Sequence, residues 1–482
     1  LSPMKIALIA SEVTPFAKTG GLADVLGSLS VVLEQLGNEV FVIAPAYRSV
    51  LRGGFALQQT SMQFSVPISG RSVLAEVLET LIGNRVRIFF IRADQYFDRE
   101  FLYTTPAGDY PDNSERFVFF SRAALELLRQ RPADVVHCHD WQTALMTVYL
   151  KTQAARYSEI ARAKTVFTIH NLGFQGIFGP ADWRLLDLDV VFFTPPYLEF
   201  YGNINYLKGA LIFADKLTTV SPSYAAEILT PEQGFGLEGV LRQRADDLVG
   251  ILNGVDYQLW NPWTDPFLTD HYGENSLSQK SACKENLRQI VGLPSREDSP
   301  VIGMISRLTP QKGVDLVEGI LDALMARGVQ LILLANGDVR YENFFRAAMA
   351  RFPEQVAVRI GFDNPLAHQI EAGADIFLMP SLYEPCGLNQ MFSLKYGTIP
   401  VVRAVGGLKD TVQQCNVSAR SGTGFLFGPY TADALLAALD ECLLVYRNRP
   451  AWSALQRRAM AMDFSWNRSA KNYTELYRQL VS

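Results

Sequence analysis

The chain has 482 residues, 48% of them hydrophobic and 19% charged, with a formal net charge of −5. This length exceeds what a single core usually serves, so two domains of a few hundred residues are predicted. The mild negative charge argues against a polyanion-binding surface, and no apolar run approaches the length of a membrane span. Five cysteines, odd in number and without a C-x-x-C pair, suggest neither a disulfide framework nor a zinc knuckle and fit a reducing compartment. The opening Leu1-Ser2-Pro3-Met4-Lys5 lacks a basic stretch followed by a long apolar core, and Met4 reads as the native start behind leading residues.

Lys5 to Ala10 reads as a buried strand, followed by a loop ending in Lys18-Thr19-Gly20-Gly21. Leu22, Val25, Leu26, Leu29, Val32, Leu33 and Leu36 then fall at helical spacing, with Gly37 as the stop, and Glu39 to Ala44 returns as a strand. This is a βαβ unit with a glycine pair and a lysine where the first strand feeds its helix. Further strands are predicted at 86–91, 135–138, 165–169, 216–220 and 248–252. Several end in polar residues: His139-Asp140-Trp141, His170-Asn171 and Asn253-Gly254-Val255-Asp256.

The stretch 258–299 carries prolines and two tryptophans and reads as a crossover between domains. A second βα series follows, with strands at 301–305, 331–334, 356–360, 376–379 and 400–403. The predicted fold class is α/β: two doubly wound, Rossmann-like domains facing a cleft. Their boundaries are 4–257, with a C-terminal helix 464–482 packing back on the first domain, and 300–463 for the second.

Two strand-to-helix loops draw the chemistry together. Lys18 to Leu22 and Arg307-Leu308-Thr309-Pro310-Gln311-Lys312-Gly313 each place cations and glycine at a helix start, an arrangement that holds a diphosphate without an obligatory metal. After the apolar run Ile376 to Met379 comes Pro380-Ser381-Leu382-Tyr383-Glu384-Pro385-Cys386-Gly387-Leu388, in which Glu384 can accept bonds from two vicinal sugar hydroxyls. An ordinary helix-capping turn is the competing reading of Glu384. His137 and His139 share a strand face, as metal ligands would, but no neighbouring set completes a tetrahedral site, so no metal is predicted. His170 reads equally as a structural histidine and as a sugar-binding one, and Cys386 as a packing residue rather than a nucleophile.

Lys18-Thr19-Gly20-Gly21-Leu22-Ala23-Asp24-Val25 resembles the signature of bacterial glycogen synthases and plant or algal starch synthases. So do His139-Asp140-Trp141, Thr168-Ile169-His170-Asn171, Leu252 to Asp256, Ser306-Arg307-Leu308 with Gln311-Lys312-Gly313, Glu384 to Leu388, and Lys395-Tyr396-Gly397-Thr398. These strings span nearly the whole chain in the family's order. The resemblance implies a glycosyltransferase-B fold. It also implies transfer of glucose from ADP-glucose to the non-reducing end of an α-1,4-glucan (maltooligosaccharide, glycogen or starch), with the anomeric configuration retained and no cofactor.

By the same resemblance Glu384, His170, Lys312, Arg307 and Asp140 are the catalytic set. Lys18, Gly20, Gly21, Asp24, Asn253, Phe362, Cys386, Gly387, Leu388, Tyr396 and Thr398 bind nucleotide sugar or glucan. It implies no nucleic-acid partner, a cytoplasmic location (or a plastid stroma after removal of a transit peptide), and it leaves starch-granule association open. The sequence departs from related retaining transferases at Phe392, where many carry a second glutamate, at the turn Leu333 to Asp338, and at Phe362, where a tyrosine is usual for stacking on adenine. The alternatives weighed beside this reading are an inactive glucan-binding or priming homologue and a UDP-glucose-dependent transferase acting on a small acceptor.

Overall fold

A computed structural model describes residues 3–482; Leu1 and Ser2, part of the predicted leader, lie outside the described residues. The chain forms two compact units. The first runs to Val220 and adds Ala225–Gly254 and Trp466–Ser482; the second is Ser221–Tyr224 with Val255–Ser465. The stretch predicted as a separate crossover therefore belongs to the second unit. Asp265 accepts hydrogen bonds there from the Tyr396 hydroxyl (2.5 Å) and from His368 Nδ1 (2.8 Å), and Trp260 stacks between His368 and Phe392 at 3.7 and 4.0 Å.

The first unit is built on a nine-stranded sheet. In chain order its elements are β1 (Lys5–Ile9), α1 (Gly21–Gln35), β2 (Glu39–Pro45), β3 (Gln58–Ile68), β4 (Arg71–Ile82), β5 (Val86–Arg92), α2 (Asn113–Gln130), β6 (Val135–His139), β7 (Lys164–Ile169), α3 (Tyr206–Phe213), β8 (Lys216–Thr219) and β9 (Leu248–Gly250). The strand order is β9-β8-β7-β6-β1-β2-β5-β4-β3. Its parallel strands read as continuous apolar runs because helices cover both faces; Ile6 to Ile9 are fully buried. The hairpin β3–β4 and helix α2 were not predicted. The hairpin pairs antiparallel and turns at Ser69-Gly70, both at positive φ, as a two-residue hairpin turn requires. In α2, the buried Arg116 donates to the backbone carbonyls of Tyr96 and Leu102 and to Asn113 Oδ1, and the buried Arg122 to those of Pro67 and Leu186.

The second unit has a six-stranded, all-parallel sheet: β10 (Val301–Leu308), α4 (Val314–Met325), β11 (Gln330–Gly337), β12 (Val356–Ile360), α5 (Asn364–Gly373), β13 (Ile376–Met379), α6 (Asn389–Lys395), β14 (Ile399–Arg403), α7 (Gly406–Thr411) and β15 (Phe425–Phe427), in the order β12-β11-β10-β13-β14-β15. The last helix, α8 (Trp466–Val481), packs in the first unit. Ser469 Oγ donates to the Leu252 carbonyl at 2.5 Å, and the Tyr477 hydroxyl meets His137 Nδ1 at 2.6 Å. No described helix is long and apolar enough to cross a membrane.

In each sheet the strand order reverses at the first strand, between β1 and β6 in one unit and between β10 and β13 in the other. Open α/β sheets leave a crevice at the carboxyl ends of two such strands, since their connections leave in opposite directions. The loops carrying Lys18, Asp140, Lys312 and Glu384 each follow one of these four strands, and Arg307 lies near the end of β10.

Candidate active site

In the second unit the loop after β10 runs through a short turn, Pro310–Lys312, to Gly313, whose φ of +69° is left-handed. A Cβ at Gly313 would stand 2.0 Å from the Pro380 carbonyl oxygen, so only glycine lets this loop lie against the one after β13. That approach sets Lys312 on Glu384: Nζ is 2.9 Å from Oε1 and 2.8 Å from Oε2. Ser381 Oγ donates to the same Oε2 at 2.8 Å. Glu384 is 6% exposed, so its charge is held by an ammonium and a hydroxyl rather than by water.

The backbone beneath Glu384 is fixed from a third side. Gly407 N–H reaches the carbonyls of Glu384 and Pro385, each at 3.2 Å, and a Cβ on Gly406 (φ +42°) would fall 2.0 Å from the Glu384 carbonyl oxygen. Arg307, at the end of β10, is exposed and has no ion-pair or side-chain hydrogen-bond partner among the described residues. Phe362, beyond β12, is 85% exposed, an open aromatic face on the same edge of the sheet. Gly387 takes φ +70° and leads through Leu388 into α6, while Cys386 is buried beneath the turn and its carbonyl accepts from Gln390 Nε2 at 3.0 Å.

Two predicted binding residues belong to the interior instead. Tyr396 and Thr398 are fully buried. The Tyr396 hydroxyl is committed to Asp265, and Thr398 Oγ1 bonds Lys280 Nζ (2.7 Å) and the Ala374 carbonyl (3.0 Å). Their hydroxyls join the stretch 258–299 to the sheet and have no free surface to offer a ligand, which corrects the expectation for both. Sequence spacing could not show this, because both residues sit where the helix after the Glu384 loop turns back into the core.

In the first unit the helix start at Lys18–Gly21 is already occupied by an anion from the chain itself. The Glu12 carboxylate, 4% exposed, accepts from Thr19 N–H (2.5 Å), Thr19 Oγ1 (2.6 Å), Gly20 N–H (3.2 Å) and the Tyr103 hydroxyl (2.8 Å). The expectation that these amides hold a diphosphate is corrected for Thr19 and Gly20, whose N–H groups are spent. Glu12 and Tyr103 were missed; the polar pair Ser11-Glu12 directly after an apolar strand was the signal available. Lys18 Nζ bonds Asp24 Oδ1 at 2.8 Å, with the lysine side chain 44% exposed. Burial raises the Asp24 carboxyl, and the Lys18 ammonium partly offsets this.

At the ends of β6 and β7, Asp140 adopts φ +59° and its Oδ1 accepts from the His170 backbone N–H at 2.8 Å. Burial lifts the Asp140 carboxyl to about 7, against the pull of the His170 and Asn171 amides. His170 is half-buried, and burial lowers its imidazole to about 3, so it is neutral. Asn253 is buried, and its Oδ1 has no hydrogen-bond partner among the described residues. His137 and His139 do not converge on a metal site: their ring nitrogens meet Tyr477, Thr168 and His170. Among the described residues no group of three or more His, Cys, Asp and Glu could hold an ion.

Two doubly wound units, one with a cation-held carboxylate and an exposed arginine at its switch point, the other with buried histidines and an aspartate at its own, define a glycosyltransferase of the B type. The comparisons narrow this further. Residues 5–243 match the model of the starch synthase catalytic domain and residues 285–457 that of glycosyl transferases group 1. The chain is 45% identical over 477 residues to a glycogen synthase of Koribacter versatilis, covering 99% of this chain and 98% of that one. It is 48% identical over 482 residues to a glycogen synthase of Anaeromyxobacter dehalogenans, covering 99% and 100%.

Among solved structures, the catalytic domain of starch synthase IV from Arabidopsis thaliana, bound to ADP and acarbose, superposes with a TM-score of 0.91 at 33% identity, covering 100% of both chains. A sucrose-phosphate synthase from Thermosynechococcus elongatus shares the fold at 19% identity and a TM-score of 0.61, covering 98% of both chains. The chain belongs to the glycogen synthase and starch synthase family of glucosyltransferases.

Proposed function

We propose that this enzyme transfers glucose from ADP-glucose to the non-reducing end of an α-1,4-glucan with retention of anomeric configuration. One observation carries the donor half of this reading: a buried Glu384 carboxylate held by Lys312 and Ser381, on a sheet edge that also presents an unpaired Arg307 and an open Phe362. Glu384 accepts bonds from glucose hydroxyls, Arg307 and Lys312 meet the diphosphate, and Phe362 stacks on the adenine. Leu388 and Gly387 present backbone to the same donor. The relative from Arabidopsis thaliana, bound to ADP and acarbose, supports a nucleotide and a glucan-like chain as the ligand pair.

Of the first unit's residues, Lys18, Gly21 and Asp24 serve the nucleotide sugar, His170 and Asn253 the transferred glucose, and Asp140 the acceptor side. Neither carboxylate acts as a covalent nucleophile. Both Glu384 oxygens already face an ammonium, and Asp140 keeps its proton up to about pH 7. In the front-face course that remains, the bond from the anomeric carbon to the β-phosphate oxygen breaks and a bond to the acceptor's 4-oxygen forms on the same face. The acceptor hydroxyl proton passes to the departing phosphate oxygen, and cations stabilise the charge that develops there. Five free thiols fit a reducing cytoplasm, and affinity for starch granules is a property to be measured directly.

Radiolabelled ADP-glucose and UDP-glucose, each offered with maltooligosaccharide and with glycogen, test the reading. Incorporation from ADP-glucose into α-1,4-linked product is expected. Absence of transfer to either glucan, or a clear preference for UDP-glucose, would overturn it.

A further inference from the structure

Three histidines line up in the first unit. His137 and His139 leave the same face of β6 with ring centroids 4.0 Å apart, and His139 continues to His170, at the end of β7, at 5.3 Å. His137 is satisfied at both nitrogens: Nδ1 meets the Tyr477 hydroxyl and Nε2 the Thr168 hydroxyl, each at 2.6 Å, and Thr168 passes the network to Thr218 at 2.5 Å. His139 is different. Its Nδ1 lies 3.0 Å from His170 Nε2, while its Nε2 is buried with no hydrogen-bond partner among the described residues.

Burial lowers the affinity of all three rings for a second proton: His137 and His170 fall to about 3, and His139 well below its ordinary value. Each ring therefore carries one N–H. The bond between His139 and His170 can then be made in two ways. If His170 Nε2–H donates, His139 must carry its own proton on Nε2, where a buried N–H points at nothing. If His139 Nδ1–H donates, the unpartnered Nε2 is a bare lone pair. Orphaned buried N–H groups are rarer than under-used acceptors, because a desolvated donor forfeits its whole hydrogen bond.

We infer that His139 is a positioning residue: its Nδ1–H donates to His170 Nε2 and locks His170 as the Nδ1–H tautomer, which makes His170 a hydrogen-bond donor to the bound sugar. The last step rests on the proposed function; the tautomer does not. A donor at this position selects an acceptor, such as the oxygen of a sugar hydroxyl, and rejects a ligand that offers only a donor. The tilted ring of His137 packs against His139, and Tyr477 and Thr168 hold His137 in turn.

The full-length chain labelled with 15N in its histidine rings gives the tautomers directly by NMR, without substrate. Protonated Nδ1 and unprotonated Nε2 are expected for both His139 and His170. His139→Asn keeps an amide donor in place of Nδ1–H and is expected to keep the His170 tautomer. His139→Leu removes the donor, and His170 should shift toward Nε2–H, with kcat at saturating ADP-glucose falling about tenfold and largely recovered in His139→Asn. His170 protonated on Nε2 in the unmodified chain overturns the inference, as does an unchanged tautomer in His139→Leu. Should the leucine variant not fold, the unmodified chain and the asparagine variant decide. The expected tautomers in a chain that transfers no glucose would refute the proposed activity and leave the role of His139 standing.

Discussion

Removing the Lys312 ammonium tests the centre of the second unit. At 2.8 Å and an effective dielectric constant of about 20, its attraction for Glu384 is about 6 kcal/mol before desolvation is counted. The side chains are only 19% and 7% exposed, so much of that gain is set against the cost of taking two charges out of water. Lys312→Met is close to isosteric and leaves the Glu384 carboxylate without its ammonium, with the Ser381 hydroxyl still donating to it. Truncating one member of such a pair costs about 3–5 kcal/mol. Changing Glu384→Gln as well should return much of it, because the neutral amide needs no counter-charge.

A double-mutant cycle over Lys312→Met and Glu384→Gln should therefore show a coupling of about 2–4 kcal/mol in stability. Calorimetry is the appropriate assay, since two units need not unfold in one transition. In the single lysine variant kcat/KM for ADP-glucose should also fall by about 10²- to 10³-fold. Strictly additive stabilities, with a coupling below about 0.5 kcal/mol, would refute the claim that the two side chains form one buried unit.

Three further outcomes are expected. Arg307→Ala should raise KM for ADP-glucose by about tenfold or more while shifting stability by less than about 0.5 kcal/mol, since the side chain is exposed and unpaired; steady-state kinetics beside a melting curve checks both. Gly406→Ala, which forces a Cβ to within 2.0 Å of the Glu384 carbonyl at φ +42°, should destabilise by about 3 kcal/mol and lower kcat, read by calorimetry and turnover; a neutral variant would mean the loop moves freely. The third concerns pH. His137 and His170 titrate at about 3 when folded and near 6.5 when unfolded, so the unfolded chain binds more protons below pH 6.5 and stability is lost as pH falls. Asp140, raised to about 7 from 3.8, opposes this: its folded form keeps a proton that the unfolded form releases, so it favours folding toward lower pH. Each such group is worth about 1.4 kcal/mol per pH unit between pH 6 and 4; His139 adds to the loss, and Glu371, raised by burial to about 8, opposes it as Asp140 does. Asp140→Asn should steepen the loss by about as much again in denaturant titrations at each pH.

The residues themselves determined the parallel strands of both sheets except the three-residue edge strand β15, because a buried parallel strand is an unbroken apolar run and its polar terminus marks the edge where ligands gather. They also determined the two glycine-bearing loops and the local chemistry of Glu384, Arg307 and Lys312, since each lies within a few positions of a strand end. Even the shared face of His137 and His139 followed from the two-residue period of a strand. The hairpin β3–β4 escaped because its strands alternate with polar residues and lie at the sheet margin, where no apolar run announces them.

Tertiary structure alone decided which groups meet. Glu12 fills the amides that a phosphate was expected to take, Lys312 closes on a carboxylate 72 positions away, and Tyr477 reaches His137 across 340. Tyr396 and Thr398 were drawn inward by Asp265 and Lys280, residues from a stretch that read as a mere connection. Periodicity reports the direction a side chain leaves its own strand. The neighbour it finds depends on strand order, register and the return of distant segments, and none of these is written in the local pattern of the chain.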